Sequence, residues 1–252
     1  MPLVSDDAVV LQAFAYGETS KVLRLLTRTH GVRSAIAKGA RRPKSRFAAV
    51  LEPFAEGTVT LYLKEGRDLQ TLGSFELTRS RQGLGGDLFR FGGASLLTEL
   101  VLRTASEASE PALFEQFRRA LDRIERAPAA EVESVVLAET WALIGTLGFA
   151  PAISACIACG RAFEADEESI FDYAAGGMRC LACEAGSPGR PVPAHARAAL
   201  QRLCRGEAVP LERTGAHWQL LGRFLAHHVA EGGPIRSLAF LASALEASAP
   251  RA

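Results

Sequence analysis

The first third of the chain alternates. Val59, Leu61 and Leu63 are interleaved with Thr58, Thr60 and Tyr62, the period of two expected of a strand with one buried face. Val32, Ser34 and Ile36 alternate in the same way with Arg33, Ala35 and Ala37. Shorter runs of this kind cover Val9–Phe14, Val22–Thr27 and Leu69–Leu77, and Gly17, Gly31, Gly57 and Gly66 punctuate them as turns. Five short strands within residues 8–77 predict a small barrel, closed or partly open, with a fragment of a sandwich as the competing arrangement.

From Leu84 onward the period becomes helical. Leu113, Phe114, Phe117, Ala120, Leu121 and Ile124 recur at spacings of three and four, one apolar helix face, and Pro111 suits its first turn. A second helix is expected over Glu131–Leu147, with Val132, Val135, Val136, Leu143 and Leu147 inward and Gly148 as its stop. Helices return over Ala194–Cys204 and Ala216–Ala230, the latter closed by Gly232-Gly233, after a loop marked by Pro188, Gly189, Pro191 and Pro193. The glycine-rich stretch Gly83–Gly93 fits neither GxGxxG nor the P-loop, whose Gly-Lys is missing, and reads as a hinge between barrel and helices. At 252 residues there is room for two or three small domains.

Charge changes this picture. The composition is ordinary, 48% hydrophobic and 23% charged with a net charge of +1, but residues 1–46 hold nine basic and three acidic residues and the remainder is net acidic. All nine cations fall within Lys21–Phe47, KVLRLLTRTHGVRSAIAKGARRPKSRF, which has no acid. A local basic segment on a nearly neutral chain is the footprint of a directed polyanion-binding face. Its densest part, Lys38–Arg46, is expected as a mobile loop after the Val32–Ala37 strand, because Gly39 breaks the strand and Pro43 forbids a regular ladder. Lys38, Arg41, Arg42, Lys44 and Arg46 on such a loop can track a phosphate backbone, with a steep dependence on salt. A solvated loop, or a nuclear-localisation stretch with the same letters, is the alternative. Phe14, Tyr16, Phe54 and Tyr62 lie elsewhere in the barrel, so stacking is unmarked and backbone-directed binding is expected.

The N-terminus lacks a basic leader region and no apolar run is long enough to span a membrane. The chain reads as cytoplasmic, where cysteines serve as ligands or buried thiols more often than as disulfides. Cys156-Ile-Ala-Cys159 is followed 20 residues later by Cys180-Leu-Ala-Cys183. Two CxxC knuckles at this separation are a zinc-ribbon pattern. Four thiolates complete a tetrahedron and leave no open position for water, so one structural Zn²⁺ per chain is expected, not a catalytic one. A thioredoxin-like pair would need a βαβ setting and would leave the second CxxC unexplained. Glu164, Asp166, Glu167, Glu168 and Asp172 between the knuckles would repel phosphate, so the ribbon is not expected to bind nucleic acid. Cys204 reads as a buried thiol, and His217, His227 and His228 as helix-face residues. No nucleophile–base arrangement points to an enzyme.

The order Tyr16-Gly17-Glu18-Thr19-Ser20, Leu26-Thr27, His30-Gly31, then AKGARRPKSRF over residues 37–47, then Leu51-Glu52-Pro53-Phe54 resembles the bacterial RecO recombination mediators. The likeness continues through the cysteine quartet to Arg236-Ser237-Leu238-Ala239-Phe240-Leu241. It implies an α+β multidomain protein: an N-terminal OB-fold β-barrel over residues 1–80, an α-helical domain over 81–150 and 190–252, and an inserted four-cysteine zinc ribbon over 151–189. It makes Lys38, Arg41, Arg42, Lys44 and Arg46, with Arg33 behind them, the expected DNA contacts, and Cys156, Cys159, Cys180 and Cys183 the zinc ligands. It further implies a non-enzymatic, nucleoid-associated protein that binds single- and double-stranded DNA and anneals complementary strands. Working with RecR, it would help load RecA onto DNA coated by single-strand-binding protein, whose acidic C-terminal tail it would bind. An RNA-binding or ribosome-associated OB protein with a structural zinc ribbon is the alternative.

Overall fold

The computed structural model describes residues 2–47, 50–64, 66–184, 189–229 and 233–248. The expected helix end at Ala230 and Gly232, and Pro188 in the preceding loop, lie outside the described residues. The chain divides into two compact units, Met1–Gly86 with Thr104–Glu125, and Asp87–Arg103 with Arg126–Ala252.

In the first unit, five strands, β1 (Leu3–Tyr16), β2 (Ser20–Thr27), β3 (Gly31–Ala37), β4 (Glu56–Tyr62) and β5 (Leu69–Arg79), close in the order β1-β2-β3-β5-β4. This is an OB-like barrel. Every pairing is antiparallel except β3 with β5. The 14-residue β1 closes the ring, pairing β4 from Leu3 to Val9 and β2 from Ala8 to Tyr16, with an irregularity between Val10 and Gln12 that lets it bend. Alternation puts Ala8, Val10, Leu23, Leu25, Ala35, Val59, Leu61 and Leu72 inside. Gly57 is not a turn: it lies within β4, where a Cβ would meet the Glu76 carbonyl oxygen at 2.3 Å. The sheet needs glycine there for close approach.

The amphipathic helix α2 (Pro111–Arg126) belongs to this unit, and the residues of its expected face are all buried. Arg28, just past β2, pairs with Glu115 at 2.7 Å and lies over the Phe114 ring. The segment before α2 caps the free edge of β3. The Val32 amide donates to the Ser106 carbonyl at 3.1 Å, and Gly31, at φ +64°, approaches so closely that a Cβ would lie 2.2 Å from the Ala108 carbonyl oxygen. Beyond β5, the fully buried Arg81 side chain donates to the Phe54 carbonyl at 3.0 Å, to Asp122 of α2 at 2.9 Å, and to Glu56 of β4. Arg79 joins it on Asp122 at 2.7 Å.

The expected hinge resolves differently. Gln82–Gly86 is a single 3₁₀ turn, and Gly92 and Gly93 lie inside α1 (Leu88–Thr104). A Cβ on Gly92 would reach Leu241 at 2.6 Å and one on Gly93 would reach Val136 at 2.5 Å. These two glycines permit helix packing within the second unit. There α3 (Val132–Thr146) is buried around most of its circumference, with Trp141 wholly inside, and Gly148 at φ +89° follows its end. A three-stranded sheet, β6 (Ser169–Asp172), β7 (Gly177–Cys180) and β8 (Gly189–Val192), runs in the order β7-β6-β8. Pro191, expected in a loop, sits in the edge strand β8, where a missing amide is tolerated. Helices α4 (Ala194–Cys204), α5 (Thr214–His228) and α6 (Arg236–Ser248) follow. Glu99 of α1 holds the start of α6, accepting from the Ser237 amide at 2.9 Å, the Ser237 hydroxyl at 2.7 Å and the Arg236 amide at 3.1 Å. An anion at a helix N-terminus is favourable.

Both anchors can be tested by substitution. Arg81→Ala takes this donor from Glu56 and from the Phe54 carbonyl, while Asp122 keeps Arg79, and should cost about 3 kcal/mol, read as a lower urea midpoint; a loss below about 1 kcal/mol would mean that the network is solvated. Burial pushes the Glu99 carboxyl up, but the Ser237 and Arg236 donors outweigh it and hold it below its ordinary 4.5. A depressed carboxyl contributes stability above its unfolded pKa and loses it as pH falls through the folded one. The stability gap between wild type and Glu99→Gln should therefore be full at pH 7 and close below pH 4.5; a gap independent of pH in thermal melts would refute the linkage.

Candidate nucleic-acid interface and metal centre

The basic loop begins where β3 ends. Turns centred on Gly39 (φ +71°) and Lys44 (φ +66°) fold it, with the Arg42 amide on the Gly39 carbonyl and the Ser45 amide on the Arg42 carbonyl, both at 3.1 Å. It is not the free loop expected from its letters. Ala40, Phe47 and Leu51 turn into the barrel core and plug it. The Arg41 amide donates to the Thr19 carbonyl at 2.8 Å and its guanidinium to the Gly17 carbonyl at 3.0 Å, which ties the loop to the β1–β2 turn. At the other end the Arg46 guanidinium donates to the Gly73 carbonyl of β5 at 2.5 Å and lies 4.9 Å over the Phe47 ring.

The nine cations of Lys21–Phe47 divide by their partners. Lys21 is paired with Glu52 at 2.9 Å, Arg28 with Asp7 and Glu115, and Arg33 with Glu107, whose carbonyl also accepts from Arg33 at 3.0 Å. Their charges are compensated. The hydrogen bonds of Arg41 and Arg46 go to carbonyl oxygens, which fix their positions and leave their charge. Lys38, Arg42 and Lys44 are exposed, and their side chains make no hydrogen bond or ion pair among the described residues. The structure thus brings Lys38, Arg41, Arg42, Lys44 and Arg46 together on one anchored loop and sets Arg33 apart in an ion pair. Arg24 on β2 also lacks an ion pair among the described residues, and its Nε is buried without a partner. Its charge is plain in the sequence, but its lack of a carboxylate is a matter of which strands lie beside it.

In the second unit, the Sγ atoms of Cys156, Cys159, Cys180 and Cys183 all lie within 4.8 Å of one another. A tetrahedron with Zn–S bonds of about 2.3 Å has edges of about 3.8 Å, and Cys159 and Cys180 stand 4.0 Å apart. The first knuckle is closed by the Cys156 amide on the Arg161 carbonyl and the Gly160 amide on the Cys156 carbonyl, both at 2.8 Å. Burial pushes the Cys156 thiol up, but the amides of Cys180, Cys159 and Ala158 pull it down to about 6. Neighbouring Cys180 and Cys159 push Cys183 up to about 12. Sulfurs this close cannot all ionise unless a cation joins them. The donor set therefore fits a thiophilic metal, and all four cysteines could hold one. The acidic stretch between the knuckles is only partly free: Arg161 holds Glu167 down at about 2, and Arg179 pairs with Asp172 at 2.8 Å, while Glu164, Asp166 and Glu168 are less engaged.

Comparison with known proteins agrees with this architecture. The family described as Recombination protein O N terminal matches residues 1–81, and Recombination protein O C terminal matches residues 85–239. A DNA repair protein RecO of Nocardioides sp. is 32% identical over 251 residues, covering 95% of this chain and 99% of that protein. One of Anaeromyxobacter sp. is 34% identical over 233 residues, 88% and 89% of the two chains, and one of Syntrophotalea carbinolica is 30% identical over 253 residues, 97% and 96%. The chain belongs to the RecO family. Among the described residues no helix is long and apolar enough to cross a membrane.

Proposed function

We propose that this chain is a DNA-binding recombination mediator in DNA repair, and that the anchored loop Lys38–Arg46 is its phosphate-binding element. The observation that carries this reading is the set of five cations without carboxylate partners, held on a rigid barrel within a chain of net charge +1. Lys38, Arg42 and Lys44 contact phosphates directly, and Arg41 and Arg46 do so from fixed positions. Arg33 joins them only when its pair with Glu107 opens. Each phosphate neutralised releases counterions. Cations facing two strands lower the repulsion between them, which is how the loop promotes annealing of complementary DNA. Within this reading the barrel, residues 1–80, takes single- and double-stranded DNA, and the helical regions 81–150 and 190–252 take proteins: RecR, and the acidic tail of single-strand-binding protein. RecA is then loaded onto the cleared strand. The activity is non-enzymatic, in the cytoplasm at the nucleoid. Residues 151–189 form a ribbon held by one structural Zn²⁺ on Cys156, Cys159, Cys180 and Cys183. Bound there, the metal supplies a crosslink, and its four-thiolate shell leaves no site for a substrate.

Replacing Lys38, Arg42 and Lys44, whose side chains have no partner to lose among the described residues, by Glu should lower DNA affinity at least a hundredfold and flatten its salt dependence while leaving the melting curve in place; unchanged affinity removes the loop from the site. Purified protein should carry about one zinc per chain, and Cys156→Ser should lose it together with protection of the ribbon in hydrogen exchange; a folded ribbon without metal would refute the assignment. The decisive experiment is annealing of complementary oligonucleotides coated by single-strand-binding protein. Failure to anneal them, with tight binding to structured RNA instead, would replace this reading by an RNA-binding one.

A further inference from the structure

The four sulfurs of the cysteine quartet are gathered together but covered unevenly. Cys156 is 2% and Cys180 1% exposed, whereas Cys183 is half-buried and Cys159 exposed. Each knuckle thus supplies one inner and one outer cysteine. The hydrogen-bond donors go to the inner pair. Cys156 accepts from the Cys180 amide at 3.4 Å and from the amides of Cys159 and Ala158, and Cys180 accepts from the Cys183 amide and the Arg161 guanidinium. Arg161 is itself held by Glu167. Cys183 meets chiefly other sulfurs, those of Cys180, Cys159 and Cys156. A thiolate that accepts hydrogen bonds is a weaker base and therefore a weaker nucleophile.

The inner pair is also the part fixed to the sheet. Cys180 ends β7, and the Ile157 amide, next to Cys156, donates to the Met178 carbonyl at 2.9 Å, while the Met178 amide donates to the Ala152 carbonyl at 2.8 Å. Phe171 of β6 packs on Phe224 of α5 with ring centroids 6.2 Å apart. Cys159 and Cys183 each close a knuckle, the latter at the end of a short 3₁₀ turn, Leu181–Cys183. Exposure and thiolate character select the sulfur that an oxidant reaches, and here both favour the outer pair. All four Sγ atoms lie within 4.8 Å of one another, so a shift of less than about 3 Å brings Cys159 and Cys183 to the disulfide length of about 2.05 Å.

We propose that Cys159 and Cys183 form a peroxide-sensitive pair that is oxidised to a disulfide with loss of the metal, while Cys156 and Cys180 remain thiols. The proposal rests on the zinc-ribbon reading given above. The Cys159 thiolate attacks one oxygen of hydrogen peroxide; the O–O bond breaks, and the departing hydroxide takes a proton to become water. The sulfur is left as a sulfenic acid. The Cys183 thiolate attacks that sulfur, the S–S bond forms, the S–O bond breaks, and the second hydroxide takes a proton. Two thiolates, one peroxide and two protons become one disulfide and two waters, and the two electrons that the sulfurs lose reduce the peroxide. Two thiolates remain where a structural site needs four ligands, so metal bound there is released. A dithiol reductant with Zn²⁺ reverses the change.

The test uses the full chain as purified. Hydrogen peroxide should release about one zinc per chain to a chromogenic chelator. Peptide mapping by mass spectrometry should then find a Cys159–Cys183 disulfide, with Cys156 and Cys180 alkylated as free thiols after denaturation. Dithiothreitol with zinc chloride should restore the zinc content. Cys204→Ser, which removes the cysteine outside the quartet, should leave release and mapping unchanged. Zinc retained under peroxide, a disulfide that includes Cys156 or Cys180, sulfonic acids in place of a disulfide, or a release that needs Cys204 overturns the pair and leaves the ribbon standing. Folded protein that holds no zinc before peroxide is added overturns the zinc-ribbon reading, and the pair with it.

Discussion

The guanidinium of Arg81 is the point on which the first unit turns. It sits just beyond the end of β5 in a left-handed backbone conformation (φ +50°) that a non-glycine residue adopts only when its surroundings hold it. Three separate pieces of chain meet on it: the loop carbonyl of Phe54, the start of β4 through Glu56, and α2 through Asp122. A buried guanidinium is costly unless its donors are matched by acceptors. Here that cost acts as a specification, because no arrangement lacking any of the three pieces satisfies the group. With Phe54 fixed, the preceding chain back to Leu51, Phe47 and Ala40 is drawn into the barrel core. The basic loop thus inherits its rigidity from a charge cluster at the other end of the same connection.

That rigidity bears on binding. The loop alternates between residues that plug the barrel and residues that face solvent: Ala40 in, Arg41 and Arg42 out, Phe47 in. A free chain would lose conformational entropy on meeting a ligand, whereas a loop already fixed at both ends loses little. The bonds of Arg41 and Arg46 to carbonyl oxygens set position without cancelling charge, a different use of arginine from the ion pairs that take up Arg28 and Arg33. The cysteine quartet follows a similar logic by other means. Its knuckle hydrogen bonds gather four sulfurs that would repel one another as thiolates, and a thiophilic metal held there would make the gathering favourable.

Much of this could be read from the letters. Period-two runs marked all five strands, β1 only from Val9 although it begins at Leu3 and is buried without a break from Ala8 to Leu11, and the 3.6 period located α2, because both depend on neighbours within a few residues. The CxxC spacing likewise reports a local turn, and the four cysteines meet as that spacing requires. What escaped is nonlocal. Gly57, Gly92 and Gly93 look like turns or hinges, yet they are places where another element comes within van der Waals distance. Pro191 looks like a loop marker and is an edge-strand residue. Helix α3 is buried on so many sides that its own periodicity says little about its packing. Arg81 and Glu107 carry ordinary charged letters, and nothing near them in sequence shows that one is buried or that the other neutralises Arg33.

One further consequence concerns time. The first unit is contiguous in space but not along the chain, since it leaves at Gly86 and resumes at Thr104. Asp122, the helix acceptor of Arg81, is made about 40 residues after its donor, a delay of roughly 2–8 s at typical rates of synthesis. During that interval the nascent barrel carries an unmatched guanidinium, and the free edge of β3 at Val32 still lacks Ser106. No contiguous piece of the chain holds this unit without α1 of the other, and on the ribosome its strands must wait for a helix that the next unit's first element precedes.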